Sequence, residues 1–199
     1  MSSTRLLVLG VVRIFQPVHG YDVRRELLSW RANEWANIAP GSIYNALKSL
    51  AKDGFLELVG TDQVGGRPER TIYRLTLEGE EEFKNLLRET WWEVRPPLDP
   101  LLPGLCFMHG LKRDELLSAV QHRVTQIEGM LKHADFAVAG LPNKTTPAHV
   151  RELFALSTAR LAAEIAWAKA FVAHLERGDY DNPHPMEIAK EMKKRRKPA

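Results

Sequence analysis

Residues 40–56 read PGSIYNALKSLAKDGFL, and this stretch decides the fold. Pro40 in the first turn and Gly54 just past the end are typical signals for the start and the stop of a helix. The apolar residues between them follow each other at steps of three, one and three, so they share one helix face. They are Ile43, Ala46, Leu47 and Leu50. The stretch therefore predicts an amphipathic helix with one buried side.

Two helices are predicted before this stretch. Apolar residues from Leu6 to Ile14 recur at roughly helical spacing and stop before Pro17, which breaks a continuing helix. A second, shorter pattern runs from Tyr21 to Leu28, where apolar residues stand among charged ones that should face outward.

After Gly54 the hydrophobic period changes from that of a helix to that of a strand. Residues 55–59 and 71–77 are rich in β-prone side chains, and the run VGGRP at 64–68 separates them. This pattern predicts a β-hairpin with a glycine-rich tip. A further helix is expected from Thr76, because acidic residues follow in its first turn, where the helix dipole favours them. Its expected apolar stripe is Phe83, Leu86 and Leu87.

Three helices, a hairpin and a further helix form the layout of a winged helix-turn-helix. The fold expected for residues 1–90 is therefore mainly α with a small β-hairpin wing. In such a domain the third helix enters the major groove of DNA, and the hairpin tip reaches the flanking backbone or the minor groove.

The side chains at these two places suit DNA. From Pro40 to Lys52 the third helix has no acidic residue, and its polar side chains can bond base edges or phosphates. At the wing tip, glycine allows close approach and arginine is attracted by the negative minor groove. The candidate contacts are Ser42, Tyr44, Asn45 and Lys48 on the recognition helix and Lys52, Gly66, Arg67 and Arg70 on the flank and wing.

A second domain is expected beyond a proline-rich linker at 91–110. Two long helical patterns follow, from about Arg113 to Val138 and from about Pro147 to Glu176, and Gly178 should end the second. They predict an antiparallel helical pair at 111–180 with a narrow apolar seam, which favours pairing with a second copy. The residues expected at this homodimer interface are Val150, Phe154, Leu161, Ile165, Ala168 and Val172.

The net charge of +3 lies in the last residues of the chain. Residues 1–90 are neutral overall, whereas residues 187–199 carry a net charge of +4. The pI of about 9.0 is therefore no evidence about a folded surface. The basic tail at 181–199 is expected to be helical at first and then disordered. Three roles stay open for it: a solvated tail, nonspecific attraction to DNA, and contact with a membrane surface.

Several linked segments closely resemble the PadR family of bacterial transcriptional regulators. They are LVLG at 7–10, HGYDV at 19–23, GSIYNALKSL at 41–50, DGFL at 53–56 and GGRPERTIYRLTLEG at 65–79. The remainder is similar, in the number and length of its helices, to the family's larger branch with a C-terminal helical dimerisation domain.

The resemblance implies a dimeric repressor that binds a palindromic operator and is often relieved by a small molecule. Residues matching Ser42 and Tyr44 would face the major groove, and those matching Gly66 and Arg67 would form the wing tip. Tyr21 matches a position near the DNA or the third helix.

Four aromatic residues around the linker form the candidate site for a small aromatic effector, although filling of the core or the dimer interface is an alternative. They are Trp91, Trp92, Phe107 and Trp167.

We expect no cofactor and no metal site, because the histidines are scattered and Cys106 is the single cysteine. Cys106 has apolar neighbours and is expected to be buried. The sequence also lacks a membrane span and a catalytic motif, which favours a cytoplasmic protein that is not an enzyme.

Two alternatives to a repressor stay open. One is a transcriptional activator, which differs in operator position and in no residue that we can identify. The other is a winged-helix module that binds proteins.

Overall fold

The computed structural model divides into two compact units, Met1–Pro97 and Leu98–Ala199. The structure describes residues 3–62, 70–96, 98–139, 146–180 and 185–195.

The first unit combines helices with a small antiparallel sheet. Its elements are α1 (Ser3–Phe15), β1 (Val18–His19), α2 (Gly20–Ser29), α3 (Ala32–Trp35), α4 (Pro40–Lys52), β2 (Leu56–Asp62), β3 (Arg70–Leu75) and α5 (Leu77–Trp92). The predicted helices and hairpin are thus confirmed, and α4 is the predicted third helix. Two elements were not predicted: the single turn α3, and β1, where the sequence indicated only a break.

The core of the first unit forms around α1. This helix contacts α2, α4, α5 and β3, and its Val8, Leu9, Val11 and Val12 are fully buried. Each large apolar side chain removed from water contributes about 1.5–3 kcal/mol, so these contacts determine the arrangement of the helices. The largest fully buried side chains of the other helices are Val23, Leu27, Ile43, Leu47 and Leu50.

The sheet has the strand order β1-β3-β2. Val18 of β1 lies opposite Tyr73 of β3, so the segment between α1 and α2 is joined to the hairpin. β2 and β3 pair from Leu56–Leu75 to Asp62–Arg70, with a bulge between Leu58 and Gly60. The predicted hairpin tip lies outside the described residues.

The start of α5 is fixed by Thr76. Its hydroxyl accepts a hydrogen bond from the backbone N–H of Gly79 at 2.9 Å and donates one to the carbonyl oxygen of Gly54 at 2.8 Å. The N-cap therefore also joins α5 to the turn after α4.

Phe83 and Leu86 pack on the core as predicted. Leu87 is 38% exposed, so its prediction as part of the buried stripe was wrong.

The second unit contains a pair of long helices. Its elements are α6 (Leu101–Cys106), a short 3-10 helix (Met108–Gly110), α7 (Arg113–Ala139), α8 (Val150–Arg177) and α9 (Pro185–Arg195). α7 and α8 contact each other along their lengths, and Gly178 ends α8 with a left-handed φ of 77°, as predicted. The core of this unit consists of Val120, Ala168, Phe171 and Leu175, with Trp167 stacked on Phe171 at a centroid distance of 5.2 Å.

One expectation for the second unit was wrong. Cys106 is exposed at the end of α6, because this short helix buries none of its residues and so leaves the thiol in water. The tail is helical at first, as expected, and α9 continues to Arg195.

Replacement of Gly79 by alanine should destabilise the first unit. A Cβ atom at this buried position would lie 2.0 Å from the carbonyl oxygen of Phe55 and 3.2 Å from Cδ1 of Leu75, so the backbone must shift. Overpacking of this kind costs about 1–3 kcal/mol. Gly41→Ala is the matched control, because no heavy atom of the described residues lies within 4 Å of a Cβ there. Urea unfolding followed by circular dichroism should show a lower midpoint for Gly79→Ala only; equal midpoints would contradict the close approach of α5 to Phe55.

Candidate nucleic-acid interface

One side of α4 is exposed to solvent and the other packs in the core of the first unit. Its apolar side, Ile43, Ala46, Leu47 and Leu50, is buried. On the opposite side four exposed residues follow at steps of four, three and four, which is one stripe along a helix. These residues are Gly41, Asn45, Lys48 and Lys52, and we call them the outer stripe of α4.

The hydroxyl groups beside the outer stripe are engaged within the protein. Ser42 donates a hydrogen bond from Oγ to the carbonyl oxygen of Ala39 at 2.7 Å. Ser49 donates from Oγ to Oδ2 of Asp53 at 3.2 Å. Ser42 therefore helps to form the first turn of α4, and its oxygen lone pairs stay available for the DNA contact predicted from the sequence.

Tyr44 and Tyr21 lie beside the region where α2 begins. Tyr44 is 39% exposed, and its Cε1 lies 3.8 Å from the position of a Cβ on Gly20. Its ring thus packs partly on α2 and partly faces solvent. Tyr21 is half-exposed, with the guanidinium of Arg25 at 5.9 Å from its ring centroid.

The lysines of the outer stripe make no ion pair with any described residue, so their charges are available to an anionic partner. Arg70 begins β3 opposite Asp62. Gly66 and Arg67 lie outside the described residues, and their predicted contact with DNA stays a prediction.

The C-terminal end of α4 is held by Arg5, which the sequence pattern did not indicate. Nη1 of Arg5 lies 3.0 Å from Oδ2 of Asp53, and Nη2 lies 3.8 Å from Glu82 of α5. Its guanidinium also lies 5.5 Å from the ring centroid of Phe55. The hydrogen bond from Arg5 lowers the pKa of Asp53. No local motif could have revealed a pair that is separated by 48 residues in the chain.

The family comparison follows this geometry. Residues 8–85, from α1 into α5, match the transcriptional regulator PadR-like family. This match covers 78 of the 199 residues. No curated protein matches the chain significantly.

Solved structures of PadR-like proteins share the fold. The crystal structure of Bacillus subtilis PadR in complex with operator DNA is 20% identical, with a TM-score of 0.67 over 86% of this chain and 98% of that chain. The same protein in complex with p-coumaric acid is 17% identical, with a TM-score of 0.63 over 86% and 99%. The Vibrio cholerae virulence activator AphA is 15% identical, with a TM-score of 0.52 over 88% and 95%.

The candidate effector residues belong to both units. Trp91 and Trp92 end α5 and are 81% and 84% exposed, and Phe107 follows α6 and is 73% exposed. Trp167 stacks on Phe171 within the core of the second unit. The effector site stays a prediction.

The residues predicted for the dimer interface lie on the side of α8 that carries the intrachain core. Ala168 is fully buried within the unit, and Val172 packs against the same cluster. These two positions belong to the core of one chain, because α7 already covers them. The remaining candidates, Val150, Phe154, Leu161 and Ile165, are half-buried.

Among the described residues, no group of three or more His, Cys, Asp or Glu side chains is arranged to hold a metal ion. None of the described helices has the length and apolar character needed to cross a membrane.

The ion pairs made by α1 predict a loss of stability in acid. Nε of Arg13 lies 2.7 Å from Oε2 of Glu80, and the hydrogen bond lowers the pKa of Glu80 below its ordinary 4.5, as Arg5 lowers that of Asp53 below 3.8. A carboxyl group with a lowered pKa stabilises the fold at neutral pH and loses this effect as pH falls through the lowered value.

Thermal unfolding should therefore show a midpoint that falls as pH drops from about 5 to about 3. A double variant, Asp53→Asn with Glu80→Gln, should start lower at pH 7 and change less with pH. If the thermal midpoints of the two proteins fall equally with pH, these ion pairs contribute nothing to the loss of stability in acid.

Proposed function

We propose that this PadR-family regulator is a dimeric repressor that binds a palindromic DNA operator through the outer stripe of α4. The stripe carries the proposal, because it is exposed, contains no acidic side chain, and presents a helix start followed by two unpaired lysines. Backbone N–H groups at a helix start favour a phosphate, and lysines add affinity for the DNA backbone. The structure of Bacillus subtilis PadR with operator DNA supports the same use of the fold.

Two other groups complete the proposed interface. Tyr44 and Tyr21 flank the outer stripe and suit contact with sugar and phosphate, and Ser42 suits a phosphate. Gly66 and Arg67 would form the wing tip on the flanking DNA, as the family resemblance implies, and Arg70 would bind a phosphate. The protein would act where the operator is, in the cytoplasm, without enzymatic activity of its own.

A second copy is proposed to pack on the side of α8 that faces away from its core. Exposed, uncharged residues recur there at steps of three, four, three and four, which is the heptad spacing of a helix–helix seam. They are Leu156, Ala159, Ala163, Ala166 and Ala170. A solvent-facing side of a long helix normally carries charged residues, and small residues allow a second helix to approach closely. Dimerisation would place two α4 helices on two half-sites.

The effector is proposed to be a small aromatic molecule. Bacillus subtilis PadR is known in complex with p-coumaric acid. In this chain the exposed rings of Trp91, Trp92 and Phe107 provide stacking surfaces, which aromatic ligands favour.

An activator is the second candidate, favoured by the likeness to AphA. Transcription in vitro from the bound promoter separates the two, since a repressor lowers transcript yield and an activator raises it.

The lysines of the outer stripe should set the salt dependence of DNA binding. Replacing Lys48 or Lys52 by glutamine should weaken binding to all sequences about equally and lower the slope of log K against log salt by about 2 per dimer, because each lost phosphate contact changes it by about 0.9. Lys132→Gln, an exposed lysine of α7, is the control. Fluorescence anisotropy at several salt concentrations measures the slope, and slopes equal to that of the control would refute DNA contact by α4.

Charged substitutions on the outer side of α8 should produce monomers. Ala163→Glu and Ala166→Glu place carboxylates in the proposed interface, where burial without a partner costs several kcal/mol. Both residues face solvent within one chain, so the fold of the unit should be retained. Ala119→Glu, an exposed alanine of α7, should stay dimeric. Sedimentation velocity gives the mass; dimers in all three variants would place the interface elsewhere.

A further inference from the structure

Asn45 is the one residue of the outer stripe whose side chain carries both a hydrogen-bond donor and an acceptor. It is exposed, and its carboxamide makes no hydrogen bond with any residue that the structure describes. Lys48 and Lys52 can only donate, and the hydroxyl protons of the flanking Ser42 and Ser49 are already used. Asn45 is therefore equipped to recognise a donor next to an acceptor.

No contact or backbone angle among the described residues requires glycine at Gly41, one turn before Asn45. A Cβ there would meet no heavy atom of those residues within 4 Å, and the described glycines with a positive φ are Gly54 and Gly178. Glycine costs a helix interior about 1 kcal/mol relative to alanine. Its presence is explained if the first turn of α4 must approach a partner surface closely.

We propose that Asn45 reads an adenine in the major groove of each operator half-site, and that Gly41 permits the close approach that this contact needs. The inference rests on the proposed function. Adenine presents the acceptor N7 beside the donor N6, so Asn45 can donate from Nδ2 to N7 and accept at Oδ1 from N6. Guanine offers two acceptors, cytosine a donor alone, and thymine an acceptor with a methyl group. Among the four single bases, only adenine satisfies both ends of the carboxamide.

Selection from a random duplex library tests this directly. The wild type should enrich a palindromic motif with a fixed adenine in each half. Asn45→Ala should enrich the same motif without preference at that position. Asn85→Ala is the matched control: this asparagine is exposed on α5, outside the interface, and accepts a hydrogen bond from Arg88. It should enrich the wild-type motif unchanged.

Binding to the enriched duplex gives the magnitude. Exchange of the adenine for guanine should weaken the wild type by about 5- to 150-fold and weaken Asn45→Ala by less than about twofold. Replacement of the adenine by 7-deazaadenine, which lacks only the N7 acceptor, should produce part of the wild-type loss. Gly41→Ala should unfold at an equal or higher urea concentration, since alanine favours a helix over glycine, and should still bind the operator more weakly.

The outcomes separate this inference from the proposed function. An enriched motif that Asn45→Ala selects unchanged, or one without a fixed adenine, overturns the role of Asn45 and leaves sequence-specific binding standing. A wild type that enriches no motif overturns both.

Discussion

Burial of one side of α4 against α1 and α2 decides what this regulator presents to a partner. α4 contacts both helices, and Ile43, Leu47 and Leu50 are almost fully buried there. A helix turns about 100° per residue, so burial of these three side chains determines the direction of every other position. Rotation of α4 by one residue would expose side chains that each contribute about 1.5–3 kcal/mol. The outer stripe is therefore a consequence of the core, and its chemistry can change without loss of the fold.

This constraint also explains which parts of the first unit could be predicted. The helices α1, α2 and α4 and the hairpin have a regular hydrophobic period over many residues, and this period was visible in the sequence. β1 has two residues and α3 has four, so neither is long enough to show a period. β1 forms because Val18 and His19 meet Tyr73 and Ile72, which are distant in sequence.

The side of a helix that is apolar is easier to predict than the element that covers it. The seam of α8 was found correctly as an apolar side, but two of its residues, Ala168 and Val172, pack in the core of their own chain. The hydrophobic pattern of α8 does not show whether α7 of the same chain or a second copy packs against this side. Cys106 illustrates the same limit, since its apolar neighbours in sequence do not bury it. Arg5 is a third case, because its partners are Asp53, just after α4, and Glu82 of α5.

The neutral net charge of residues 1–90 is compatible with DNA binding because of how the charges are paired. Three carboxylates of these residues each lie within 3.4 Å of an arginine. The pairs are Asp53 with Arg5, Glu57 with Arg74, and Glu80 with Arg13. Opposite charges this close largely cancel at the distance of a Debye length, about 8–10 Å. Lys48 and Lys52 have no such close ion pair among the described residues, so two cations stand on the exposed side of α4 although the sum of charges in residues 1–90 is zero. Residues 187–199 of the basic tail add a net charge of +4 that carries no base-specific geometry. Attraction and sequence reading are thereby separated: a change in the tail alters affinity for any polyanion, whereas a change at Asn45 alters the choice among sequences.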